Sequence, residues 1–316
     1  MTGPAATADG TIPPARAGNP QRPQRPRELQ DGLNHRLYHP LAWQLARRLA
    51  KTPITPNMVS VLGAGFVIAA AIAYAQPWHP WCAVLGMILH MTWHVVDGAD
   101  GDLARITGRA SPIGEMVDGL CDYLSHIVLY LVLGWLLHFA MGNAAYGWML
   151  AAGLSHIVQS NHVEVQRRQY QWWVYGTSWI RHSHAQEGAA TRKSVFGALV
   201  SAYLRLATGM TPHALRIDAA VAAASDDPAR LEAIRQIVRA EAPPLLRICK
   251  ILGPNPRAVV LGLSMIFGGA ADMGPLWYFL YQSVVLNLML VWSVIAHNAA
   301  AKRMAAQIDA LEAPHG

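Results

Sequence analysis

Six long apolar windows, at 57–76, 79–98, 113–140, 144–166, 257–273 and 276–299, dominate the pattern of hydrophobic and polar positions along the chain. Each approaches the roughly 20 residues that a helix needs to cross the apolar layer of a bilayer, so the pattern predicts six transmembrane helices. Ahead of the first window, Pro40 opens a segment in which Leu41, Leu45 and Leu49 recur at helical spacing beside Arg47, Arg48 and Lys51. An apolar stripe flanked by bases predicts a short helix lying in the headgroup layer. Pro53 and Pro56 end it, because proline removes an amide donor and clashes with the preceding turn. A polar stretch separates the fourth and fifth windows. It carries Trp172, Trp173, Tyr175 and Trp179, which suit a membrane interface. It also carries a helix signature: Asp226 or Asp227 as cap, Pro228 in the first turn, and Leu231, Ile234 and Val238 on one face. Residues 1–30 hold six prolines and four arginines with almost no large apolar side chains, a composition that cannot offset the entropy of ordering. The expected organisation is a disordered basic tail (1–30), the interfacial helix with the first four spans (31–170), a surface-lying helical insert (171–250), the last two spans (251–300) and a C-terminal tail (301–316). The fold class is an all-α integral membrane protein.

Composition agrees: the 316 residues are 53% hydrophobic and 14% charged, where soluble chains carry about a quarter charged. The distribution of bases adds orientation. Eight precede the first span, two lie between spans two and three, thirteen run from Arg167 to Arg257, and two follow the last span. The three alternate connections hold none, so the positive-inside rule predicts cytoplasmic termini and a cytoplasmic insert. Bases that follow loop parity rather than one compact patch argue against a nucleic-acid partner. Cys82, Cys121 and Cys249 are widely spaced, which indicates neither a disulfide framework nor a thiolate zinc site. No basic segment leading into an apolar run opens the chain, so no cleaved signal peptide is expected.

Between spans two and three the sequence from Val95 to His126 reads VVDGADGDLARITGRASPIGEMVDGLCDYLSH. Ionised carboxylates at the ends of apolar helices are expensive unless paired or metal-bound. Asp97 and Asp100 are three apart and Asp118 and Asp122 four apart, so each pair shares a helical face. Two facing helices then present four carboxylates, an all-oxygen set suited to Mg²⁺ or Mn²⁺. Hard ions at a membrane face most often hold phosphates, and two of them can clamp a pyrophosphate. Gly101 and Gly114 let a ligand approach the backbone, and Arg105 is placed to meet a phosphate.

The run Asp97-x-x-Asp100-Gly101-x-x-Ala104-Arg105, then eight residues, then Gly114-x-x-x-Asp118-x-x-x-Asp122 resembles the full signature of the CDP-alcohol phosphotransferase (CDP-alcohol phosphatidyltransferase) family. The resemblance covers roughly 40–165 and 257–300; the long insert departs from it. It implies transfer of a phosphoalkyl group from a CDP-alcohol, such as CDP-diacylglycerol, to an acceptor hydroxyl with release of CMP and with two divalent ions, Mg²⁺ or Mn²⁺. By position it implies Asp97, Asp100, Asp118 and Asp122 as metal ligands, Asp122 also as general base, and Gly101, Ala104, Arg105 and Gly114 lining the CDP site. It further implies a polar acceptor such as an inositol, glycerol or serine derivative, a homodimer, and a bacterial cytoplasmic membrane with the active site facing the cytoplasm. Residues Ser111 to Glu115 faintly resemble the choline/ethanolamine branch instead.

Other residues carry weaker expectations. Asp102 is expected in water. Arg109 and Glu115 are placed to pair across the loop. His90, His94 and His126 lie near the carboxylates, with a buried, hydrogen-bonded histidine as the plainer reading. His156, Asn161, His162, Glu164, Arg167 and Arg168 make the end of span four polar and suggest an acceptor pocket. His182 and His184 lack further ligands at useful spacing. The competing enzyme class is a Mg²⁺-dependent intramembrane prenyltransferase, disfavoured because both Asp pairs sit in one short window. A cation transporter would hold its acids nearer the midplane.

Overall fold

The computed structural model describes residues 26–76, 80–177, 209–269 and 273–312, and every regular element among them is helical. Trp179, His182, His184 and most of the expected tail lie outside these residues. The elements are α1 (His39–Leu49), α2 (Pro56–Tyr74), α3 (Pro80–Thr107), α4 (Pro112–Met141), α5 (Ala144–Tyr175), α6 (Ala214–Ala223), α7 (Pro228–Glu241), α8 (Pro243–Ile251), α9 (Pro254–Gly268), α10 (Gly274–Leu280) and α11 (Leu286–Glu312). A π-helical turn, Tyr281–Val285, joins α10 to α11.

The breaks follow local chemistry. Thr55 caps α2 by accepting from the Met58 amide at 3.3 Å, and Pro56 takes the first helical position, where no amide partner is needed. Ser111 does the same for α4, accepting from Gly114 N at 3.0 Å. Gly142, at φ 60° and ψ −147°, turns α4 into α5 through a conformation that a side chain would forbid.

Five helical stretches are long and apolar enough to cross a bilayer: Pro56–Tyr74, Pro80–Thr107, Ile113–Met141, Pro243–Gly268 and Gly274–Leu311. The chain is an integral membrane protein. The expectation of six spans differs at 144–166: α5 has the length, at 32 residues, but Gln159, Asn161, His162 and Gln166 are buried side chains inside it, and they lower its apolarity. The amphipathic helix is present, yet its buried residues are Ala42, Trp43 and Ala46, with Leu45 and Leu49 only partly covered. Leu41 is exposed. The stripe shifts because α1 packs its small residues on α3, where Gly98 permits an approach so close that an added Cβ would lie 3.2 Å from the Ala42 methyl.

The main apolar cluster joins α2, α3, α4, α5, α9 and α10, with Tyr74, Leu129, Leu133, Leu137, Leu261 and Phe279 fully enclosed. A β-carbon added at Gly86 would sit 2.6 Å from the Tyr74 ring, whereas one at Gly65 would meet nothing within 4 Å. Gly86→Val therefore overpacks the bundle at about 1–3 kcal/mol, and its thermal midpoint in detergent should fall below that of Gly65→Val.

A second cluster lies beyond the first. Ile217, Val221, Ile234, Val238 and Leu246 from α6, α7 and α8 pack on Tyr170, Trp173 and Val174 of α5 and on Ala301, Met304 and Ile308 of α11. The insert's cap and apolar face match expectation: Asp227 Oδ1 accepts from Ala229 N and Arg230 N, both at 3.1 Å. Trp172, Trp173 and Tyr175 finish α5, and the Trp173 indole donates to Asp218 at 2.6 Å. Arg27–Leu29, at the end of the stretch read as a tail, forms a 3-10 turn whose Glu28 accepts from Tyr170 and Tyr175 at 3.2 and 2.5 Å.

Candidate active site

Asp97 and Asp100 stand on α3, and Asp118 and Asp122 on α4. One carboxylate oxygen each from Asp97, Asp118 and Asp122 lie within 4.8 Å of one another. Asp100 is buried on the same helix as Asp97, one turn on. Three of the four side chains, Asp97, Asp118 and Asp122, therefore converge, and Asp100 is not part of that group. The donor set fits a hard divalent cation: it is all carboxylate oxygen, half-buried, and dense in like charge that a bound cation would offset.

The two carrier helices meet mainly through side chains. Helix α2 packs against both of them, and it contributes residues that the sequence reading missed. Ser60 Oγ donates to Asp100 Oδ2 at 2.6 Å. Asn57 reaches the motif from the start of α2, its Oδ1 3.6 Å from where a Cβ on Gly114 would stand. From α3 itself, the Trp93 indole donates to Asp122 Oδ1 at 3.1 Å. A lone Ser, Asn or Trp in an apolar window carries no spacing signal, so only the helix packing exposes these three.

Arg105 is exposed at the end of the motif and is ion-paired to Asp102 on its own helix. Asp102 is 2% exposed, so the expectation that it sits in water is wrong: the helix turns it inward and Arg105 neutralises it. Gly101 faces the same guanidinium, with 3.6 Å left for a β-carbon, and Ala104 is half-buried. Arg109 and Glu115 are both exposed and form no ion pair with each other. His90, His94 and His126 are packed around Trp93. His126 Nδ1 donates to the Asp122 carbonyl at 2.8 Å, while His90 Nδ1 and His94 Nε2 are buried without a hydrogen-bond partner.

The polar end of span four separates into two groups. Glu164 accepts from Arg167 at 3.0 Å and Arg168 at 2.6 Å, so these charges satisfy one another along α5. His156 and His162 turn inward, to Tyr130 at 3.0 Å and Ser293 at 2.9 Å. Arg257, counted among the loop bases, is 3% exposed inside the bundle, donating to Ser160 at 2.7 Å and Gln159 at 3.2 Å. Its position in the chain looks like loop topology; its environment is helix interior.

The family model for CDP-alcohol phosphatidyltransferase matches residues 53–213, which contain the whole acidic motif. The chain is also similar to a phosphatidylinositol phosphate synthase of Corynebacterium glutamicum, at 27% identity over 92 residues. That match takes in 29% of this chain and 40% of the relative, so the chain spans about two-fifths of the length of the curated relative it matches.

Proposed function

The chain belongs to the CDP-alcohol phosphatidyltransferase family, and from that premise we propose that it transfers a phosphatidyl group from CDP-diacylglycerol to the hydroxyl of a polar acceptor, releasing CMP. The observation that carries this reading is the convergence of Asp97, Asp118 and Asp122 within 4.8 Å, with Asp100 one turn on from Asp97. In this reading those four carboxylates hold two divalent ions, Mg²⁺ or Mn²⁺, whose charge offsets that of the donor's pyrophosphate. The chain's own residues do the rest. Asp122 accepts the acceptor's hydroxyl proton as its oxygen bonds to the phosphorus next to the lipid. The bond from that phosphorus to the bridging oxygen breaks, and CMP leaves with the electron pair. Arg105 swings from Asp102 to the donor phosphates, while Gly101, Ala104 and Gly114 keep the wall of the CDP site free of bulk.

The relative's name favours a phosphorylated inositol as acceptor. In the same reading α5 is the sixth span, its polar half shielded by α10 and α11, and the sorting of bases puts both termini and the catalytic face in the cytoplasm. The test is to incubate membranes containing the protein with CDP-diacylglycerol and Mn²⁺, adding inositol phosphate, glycerol phosphate or serine separately. CMP release is expected with inositol phosphate and to be at least tenfold slower with the other two, since a site built for one polar group leaves its own donors unpaired with another. Lipid product without CMP would dismiss the reaction class, and CMP release with serine alone would dismiss the acceptor.

A further inference from the structure

We propose that Trp93 is a positioning residue for Asp122: its indole N–H holds Oδ1 of the carboxylate, so that Oδ2 alone is turned toward the cation and the acceptor hydroxyl. The inference rests on the transferase reading above. The bond runs from α3 to α4, between residues 29 apart in sequence, at 3.1 Å. An indole N–H only donates. It cannot ligate a cation or take the acceptor's proton, and being neutral it fixes the carboxylate without neutralising it.

The ring is held on every side, which is what separates a positioning contact from a casual one. It is 7% exposed. On the α2 side, Gly63 leaves a slot: a β-carbon there would lie 3.4 Å from Trp93 Cδ1 and 3.9 Å from Nε1, the edge that carries the donor. On its own helix the His94 ring lies 4.5 Å away, centre to centre. From α4 the His126 ring meets the indole edge-on at 4.6 Å, and the same imidazole donates to the Asp122 main-chain carbonyl at 2.8 Å. The indole thus grips the Asp122 side chain directly and, through His126, the helical turn that bears it. Helix α2 packs against both α3 and α4, and the bond from Trp93 to Asp122 adds a direct side-chain link between the two halves of the motif.

Trp93→Phe keeps an aromatic ring in the slot and removes only the donor. Gly63→Val leaves Trp93 intact and presses on the donor edge of its ring, and it serves as the second variant if Trp93→Phe does not fold. Both are measured as full-length protein in detergent, by CMP release and, independently of turnover, by Mn²⁺ affinity from electron paramagnetic resonance. A freed carboxylate should lower kcat about tenfold, the value of one hydrogen bond to a charged group. The KM for CDP-diacylglycerol should stay unchanged, and Mn²⁺ should bind severalfold more weakly. A tryptophan that only fills space would lower the thermal midpoint and leave kcat and Mn²⁺ affinity at wild-type values, and that result overturns the proposal. If wild-type protein binds Mn²⁺ but releases no CMP, the transferase reading fails, and the Mn²⁺ affinities of the variants still decide the role of Trp93.

Discussion

Asp122→Asn should abolish CMP release while the protein still folds and enters the membrane. Removing a general base costs about a hundredfold to ten-thousandfold, and the same change takes one ligand from the carboxylate cluster, so a loss of about a thousandfold or more is expected. Asparagine keeps the shape of the side chain and an Oδ1 that can still accept from Trp93, which bonds that atom at 3.1 Å in the native chain. The His126 bond goes to the main-chain carbonyl and is untouched. The fold and membrane insertion should therefore be kept, with melting shifted only as the lost charge and ligand shift it, and a loss of turnover this large then reads as chemistry. A variant that turns over at the native rate would strip Asp122 of the base role.

Chelation is the second large effect. With EDTA, CMP release should fall to background and return when Mg²⁺ or Mn²⁺ is added in excess. The stripped site should also be less stable, because two like charges within 4.8 Å of each other cost roughly 3–4 kcal/mol at an effective dielectric near 20. Binding of the ion to the folded state restores that stability by mass action. Asp97→Asn removes one of the repelling charges, so in EDTA it should melt above the wild type, and in saturating Mn²⁺ below it. The same order under both conditions would mean that the three carboxylates do not share a cation.

How much of this was legible in the sequence depends on whether the signal was local. The paired acids were legible because three- and four-residue spacing on a helix fixes a common face whatever the helix touches. The cap of α7 was equally local: Asp227 accepts from the amides two and three residues on. The stripe of α1 was misjudged, since leucines mark where a helix is apolar, and the choice of Ala42 and Ala46 for burial came from the close approach that Gly98 allows. Asp102 was also misplaced. It was expected in water because it is not a fixed position of the motif, but the helix continues to Thr107 and turns Asp102 inward. The polar half of α5 was read as one pocket, and it proved to be a surface charge group and an interior network on different faces.

The sequence by itself determined the membrane class, the all-helical architecture and the two pairs of carboxylates, because hydrophobic periodicity and helical spacing act over one or two turns. The tertiary structure decided which helices meet. It put α2 against both α3 and α4, brought Ser60 to Asp100 and Trp93 to Asp122, and buried Arg257 with Gln159 and Ser160. Those contacts join residues from 29 to 98 apart in the chain. They depend on shape matching across whole helix faces, and the order of residues along any one helix does not encode that match.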